Sequence, residues 1–325
     1  MNPKPPCQRR IVPRRPPKRR VEPMTVCIAA ACEEGKQVVC ATDGLLSMGT
    51  ITADVMATGK FYFINEWLFM YAGRPSQSRL ILDEMYNVQK DSGLQLNREN
   101  VIGLTREAYN RRMGRTCSAP ILGPLGIDLE DFKKNGFASL GKDTFERLAL
   151  EIQAQGQSFN EQLLVIGWGP MPAACMIYEI GPEGDSDHAL EGMAAIGSGS
   201  EVALSTMLLL GQSRHCYLPE TLYAVASAKF AAEKSRGQDV GPHTSLYIIE
   251  KHREGEPCPP GRFVQPTEVD RLRDIWERHG RPKIDDDVHG ELCKITKSIG
   301  YDAHISADRI VSTLRSASQK SGGQR

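Results

Sequence analysis

The chain has 325 residues, 40% of them hydrophobic, 25% charged and 6% aromatic, and its 40 basic side chains balance its 40 acidic ones. This is the composition of a soluble globular protein, too apolar for a mainly disordered chain, and no apolar run approaches the ~18 residues that a membrane-crossing helix requires. Its 9 cysteines are scattered with no CxxC pair, which reads as reduced thiols in a cytoplasmic protein and excludes a disulfide-stapled secreted domain.

The balanced total hides an asymmetry. Residues 1–24 hold eight Lys and Arg against Glu22 alone, together with seven prolines. They are expected to form an extended basic arm, and any attraction to nucleic acid or an acidic partner belongs to it. No apolar stretch follows the basic residues, so the arm does not read as a secretory signal. An interaction tail, a removable propeptide and an upstream extension that is never translated all fit, the last because Met24 directly precedes Thr25.

From Thr25 the pattern changes. Val26–Cys32 and Gln37–Asp43 are predicted as a hairpin around Glu33-Glu34-Gly35, being short apolar runs broken by a turn. Thr50–Lys60 and Glu66–Gly73 are predicted as a second hairpin turning at Asn65-Glu66. Helices are predicted over Ser76–Asp91 and Glu99–Arg112, then a long loop over 113–141 holding a short helix near Asp128–Lys134, then a helix over Lys142–Gln155. Strands follow at Gln162–Trp168, Ala173–Ile180 and Met193–Gly197, helices at Ser200–Gly211 and Pro219–Ser235, and a strand at Thr244–Glu250. Strand runs segregated from helix runs imply stacked layers, with two antiparallel sheets between helices. Residues 251–265 read as a linker, Thr267–Gly280 as a helix capped by Thr267 and Asp270, Asp285-Asp286-Asp287 as a solvated turn, and Ser306–Ser318 as a last helix.

Three polar positions stand out. Asp43 ends an apolar strand, and Lys60 lies between Gly59 and Phe61, where a carboxylate can aim its ammonium group. Ser198 lies in Gly197-Ser198-Gly199-Ser200 at a strand-to-helix junction, where backbone N–H groups face outward.

Thr25, Gly35, Asp43, Lys60 and Ala72-Gly73, in this order, resemble the start of a proteasome β-type subunit or of the related bacterial two-component heat-shock peptidase. Ala195–Ser200 resembles that family's Val-Gly-Ser-Gly segment, and Asp239 with the strand Ser245–Ile248 resembles its last active-site segment. The resemblance spans residues 25–250 and implies an α+β protein with a four-layer αββα sandwich, here carrying a C-terminal helical appendage over 251–325. It further implies an N-terminal nucleophile hydrolase. Thr25 would supply the nucleophile and, once it is the first residue, its own α-amine would be the base. Lys60, held by Asp43, would assist; the N–H of Gly73 would stabilise the oxyanion; Ser198 and Asp239 would orient the terminus. The family's specificity wall maps onto Leu46, Thr58, Tyr62, Tyr71 and Pro75, which favours apolar side chains.

Two departures qualify the match. Pro242 stands where the family has a Ser three residues after the last Asp, and Met24 stands where processed members have Gly. The resemblance also implies a peptide or amide substrate, a homo-oligomeric ring and an ATP-dependent unfoldase as partner. The seven histidines lack metal-binding spacing, so neither a metal nor another cofactor is expected. Plainer roles exist for each residue: Thr25 as a β-former, Asp43 as a turn cap, Lys60 as an edge charge, Gly197–Ser200 as a helix cap, Asp239 as a loop start, Cys27 as a core thiol. A non-catalytic scaffold and a small-amide hydrolase are therefore the alternative functions.

Overall fold

The computed structural model describes residues 25–48, 51–54, 60–169, 175–235, 240–251, 261–279 and 286–298. The basic arm over 1–24 and the helix expected at Ser306–Ser318 lie outside them. In chain order the strands are β1 (Cys27–Cys32), β2 (Gln37–Asp43), β3 (Leu45–Met48), β4 (Ile51–Asp54), β5 (Phe61–Ile64) and β6 (Trp67–Ala72). Helices α1 (Pro75–Ser92), α2 (Val101–Leu122), α3 (Leu129–Leu140) and α4 (Lys142–Gly156) follow. Then come β7 (Gln162–Trp168), β8 (Cys175–Gly181), β9 (Gly184–Asp187), β10 (Met193–Ile196), α5 (Ser200–Leu209) and α6 (Leu218–Lys234). The described chain closes with β11 (Thr244–Glu250), β12 (Gly261–Phe263), α7 (Pro266–His279) and α8 (Asp286–Ser298). No helix among the described residues is long and apolar enough to cross a membrane.

Two five-stranded sheets organise this mixed α/β fold, in the orders β10-β1-β2-β11-β12 and β5-β6-β7-β8-β9, and β3 pairs with β4 in a separate two-stranded sheet. Among the described residues every pairing is antiparallel. Strand side chains alternate between faces, and here both faces are buried. Cys27, Ala29, Ala31, Val38 and Cys40 of the first sheet meet Leu68, Met70, Leu164 and Ile166 of the second in one cluster. The alternate residues Ile28, Ala30, Val39 and Ala41 pack with α5, α6, α7 and α8. Phe69, Tyr71, Leu163 and Val165 pack with α1 and α2. Two buried faces explain why β1 and β2 read as continuous apolar runs instead of alternating ones.

Several elements differ from the sequence expectations. The arm of the second hairpin is β5, not Thr50–Lys60; it turns at Asn65, which takes φ 53°, into β6. Residues 51–54 pair instead with β3. Helix α2 runs ten residues past Arg112, through Gly114 and Pro120. Burial of Cys117 and Leu122 outweighs the breaker composition, and a Cβ at Gly114 would lie 2.9 Å from Leu129 Cδ2, so α3 can approach closely. Within the expected linker, β12 pairs with β11; a Cβ on Gly261 would sit 2.1 Å from the Tyr247 hydroxyl, so only glycine fits under that ring. Asp286 opens helix α8, where a solvated turn was expected. Helix α7 begins at Pro266, so Thr267 lies inside the helix and does not cap it.

Helices α7 and α8 share the core of α6. Val269, Leu272, Ile275, Leu292 and Ile295 are buried in the same cluster as Leu222, Tyr223 and Phe230. Replacing Leu272, which is 0% exposed, by alanine should therefore lower global stability by about 2–4 kcal/mol. Urea unfolding followed at β-sheet and helix signals checks this; an unchanged midpoint would contradict a shared core.

Candidate active site

The register brings the site together. Cys27 pairs with both Thr42 and Ile196, and Thr244 pairs with Asp43. The start of β1, the end of β2, the end of β10 and the start of β11 therefore meet at one end of the first sheet. In the second sheet Phe61 pairs with Met70 and Ala72 with Gln162, so Lys60, Gly73 and Glu161 sit together just beyond three strand ends. Gln162 links the sheets: its Oε1 accepts the Gly197 N–H at 2.9 Å.

Thr25, Asp43 and Lys60 are 3%, 0% and 2% exposed. The Thr25 hydroxyl donates to Asp43 Oδ1 and accepts from Lys60 Nζ. Lys60 Nζ also donates to Asp43 Oδ1 at 2.5 Å. The carboxylate receives two backbone N–H groups as well, Val26 to Oδ1 at 3.3 Å and Gly241 to Oδ2 at 3.2 Å. A buried carboxylate held by a cation and several donors is satisfied despite desolvation. Thr25 Oγ is thus fixed between a positive and a negative group.

The carbonyl of Thr25 rests on the 197–199 turn. It accepts from Gly199 N–H at 3.3 Å and, at the long limit, from Ser198 Oγ at 3.5 Å. A Cβ on Gly197, whose φ is +89°, would stand 2.2 Å from that carbonyl oxygen, so glycine is required by close approach. Gly73 is constrained in the same way: φ is +131° and a Cβ would lie 2.1 Å from Glu161 Oε2. Asp239 and Thr58 lie outside the described residues, and Leu46 is placed only by its backbone on β3. Tyr62 and Tyr71 pack on each other, centroids 5.9 Å apart, on the face of the second sheet covered by α1 and α2. Arg79 lies 5.0 Å over the Tyr62 ring. Pro75 is the first residue of α1, and from Arg74 a cavity of about 160 Å³ opens between Gln77, Thr116, Gln155 and Phe159.

Cys27 does not compete as a nucleophile. Its thiol donates to the Tyr71 carbonyl at 3.1 Å, and burial pushes it up to about 11 against the opposing pull of Lys60, so it stays a neutral thiol.

Three contributors carry no sequence signal by spacing. Gly241 and Gln162 act through a backbone N–H and a strand-end amide. Glu161, 3% exposed, lies beneath Gly73 and accepts from Ser78 Oγ at 2.7 Å. Burial raises its carboxyl above the ordinary 4.5, against the lowering effect of the Ser78 hydroxyl and the Arg74 backbone and charge.

No protein-family model matches the chain, and no curated protein matches it in sequence. Solved structures do resemble it. A Gly-1 mutant of Anbu from Hyphomicrobium sp. strain MC1 aligns with a TM-score of 0.53 at 13% identity, covering 81% of this chain and 98% of that one. Anbu from Yersinia bercovieri, titled an ancestral beta-subunit, aligns with a TM-score of 0.55 at 12% identity, covering 78% of this chain and 94% of that one. At this identity the likeness is one of fold, and the fold is proteasome-like.

Glu161 makes a pH prediction. The folded chain holds its proton more tightly than the unfolded chain, whose carboxyl titrates near 4.5. Its contribution to stability is therefore greatest below that value and is lost as pH rises through the folded-state value. In Glu161→Gln that downward slope should disappear; denaturant titrations from pH 4 upward check it, and an unaltered slope would contradict the assignment.

Proposed function

We propose that this protein is a threonine-type N-terminal nucleophile hydrolase that cleaves peptide bonds, built as a four-layer αββα sandwich. The observation that carries this reading is the buried Thr25 hydroxyl, held between the Asp43 carboxylate and the Lys60 ammonium. In this reading residues 25–250 are the hydrolase domain, 1–24 an arm or propeptide, and 251–325 a linker and helical extension.

A threonine hydroxyl needs a base to attack a carbonyl at neutral pH. Cleavage before Thr25 frees an α-amine, whose unperturbed value is about 8, and Lys60 close by favours its neutral form through like-charge repulsion. The amine takes the hydroxyl proton as Oγ attacks the substrate carbonyl. Gly73 N–H stabilises the oxyanion, a contribution of about 3 kcal/mol for one such donor. Collapse of the tetrahedral species breaks the scissile C–N bond, and the α-ammonium returns its proton to the departing amine. The acyl group stays on Thr25 Oγ until water, activated by the same α-amine, releases it. Asp43 holds Lys60 throughout, and Ser198 with Asp239 orients the terminus. Leu46, Thr58, Tyr62, Tyr71 and Pro75 form the specificity wall and favour apolar side chains. A homo-oligomeric ring fed by an ATP-dependent unfoldase completes the proposal.

One observation favours a second reading, a non-catalytic scaffold: Met24 precedes Thr25 in the chain, and while that bond persists no free amine exists. A third, hydrolysis of a small amide, uses the same residues.

The test is turnover of leucyl and other apolar short peptides carrying a fluorogenic aminocoumarin amide. Thr25→Ala should lower kcat/KM by at least about 10³-fold and Lys60→Ala by at least about 10²-fold. Wild-type turnover in Thr25→Ala would overturn the proposal, and preference for a free small amide would select the third reading.

A further inference from the structure

The segment 240–244 has to be placed with care, because its Gly241 N–H donates to Asp43 Oδ2 at 3.2 Å. It also contains Pro242, which offers no N–H. What holds it comes from two helices behind the first sheet. Lys229 of α6, 0% exposed, donates to the Gly241 carbonyl at 2.5 Å and to Glu233 Oε2 at 2.9 Å. Burial pulls its ammonium down, and Glu233 opposes that. Arg273 of α7 then closes the group. Its Nη1 and Nη2 donate to the two oxygens of Glu233 at 3.0 Å each, and Nη2 also reaches the Pro242 carbonyl at 3.0 Å and Thr244 Oγ1 at 3.4 Å. The Arg273 Cζ also lies 4.2 Å from the centroid of the Phe230 ring, a cation–π contact.

We propose that Arg273, on the helix after the 251–265 linker, is a positioning residue for the active site. Its fork to Glu233, Pro242 and Thr244 locks the 240–244 segment and so keeps the Gly241 N–H on Asp43. This rests on the reading of Thr25 and its partners as the catalytic group. A planar, multiply donating guanidinium is needed for this geometry; an ammonium can match its charge but not its fork. The C-terminal extension then belongs to the catalytic machinery through one side chain, and its docking on α6 sets the competence of Asp43.

Arg273→Ala, Arg273→Lys and Arg271→Ala in the full chain test this, with Thr25→Ala alongside. Arg271 is a control on the same helix, and it pairs with Glu268 at 3.1 Å. With a leucyl-peptide aminocoumarin substrate, Arg273→Ala should lose about tenfold or more in kcat, as for misplaced catalytic groups, with KM within about twofold. The lysine variant should fall between, and Arg271→Ala should match wild type. Amide hydrogen exchange gives a readout free of activity: Gly241 should exchange about tenfold faster relative to Ile248 of β11 in Arg273→Ala, because only local opening separates the two. Unchanged kcat with unchanged Gly241 exchange would overturn the proposal. If the alanine variant does not fold, the lysine variant carries the same two measurements. If Thr25→Ala leaves turnover unchanged, the nucleophile reading falls by itself, while Gly241 exchange still decides whether Arg273 is the clamp.

Discussion

A lysine and an aspartate buried together make the demand on which the rest of this fold depends. Each charge removed from water costs several kcal/mol unless its partners replace the lost solvation. Lys60 and Asp43 are 2% and 0% exposed, and the carboxylate is surrounded by the Lys60 ammonium, the Thr25 hydroxyl and the N–H groups of Val26 and Gly241. Those donors come from β1's leading residues, the approach to β5 and the approach to β11. The pair is stable only where both sheets are in register, and correct register in turn delivers Thr25 to the pair.

Small side chains make that convergence possible. Strand β1 reads Cys-Ile-Ala-Ala-Ala-Cys; Ala29 and Ala31 face the second sheet while Ala30 faces α6. Helix α6 itself buries Ala224, Ala226, Ser227, Ala228 and Ala232, so its backbone can lie close to the first sheet at interior packing density. The same tightness puts Gly197 against the Thr25 carbonyl and Gly73 against Glu161, contacts that leave no room for a Cβ. The buried thiols Cys32, Cys40 and Cys175 are pushed up by desolvation, which fits them as core residues and not as reactive groups.

Much of this was legible in the residues. Strands β1, β2, β7, β10 and β11 showed themselves as short apolar runs ending in turns, and α1, α4 and α6 as amphipathic or apolar helices. Asp43 and Lys60 stood out at strand ends, and Thr25 joined them only through the resemblance to proteasome β-type subunits; the three lie within hydrogen-bond reach of one another. The continuation of α2 was hidden because Gly114 and Pro120 are breakers by composition, whereas Cys117 and Leu122 supply the burial that sustains the helix. Strand β12 was hidden because three residues led by a glycine carry no period. Polar β9 was hidden because all four of its residues are exposed. The contacts of Glu161 with Gly73 and of Arg273 with Pro242 and Glu233 bridge segments far apart in the chain, and no local pattern encodes such meetings.

The proposed role of Thr25, a nucleophile that supplies its own base, turns on one covalent fact. Intact mass and N-terminal sequencing of the protein purified from its native host measure it directly. If Thr25 supplies its own base, the mature chain begins at Thr25, with a free amine beside the hydroxyl that Asp43 and Lys60 hold. A chain that retains Met24 or begins at Met1 would contradict it, leaving Thr25 an ordinary residue ahead of β1 and the scaffold reading in its place.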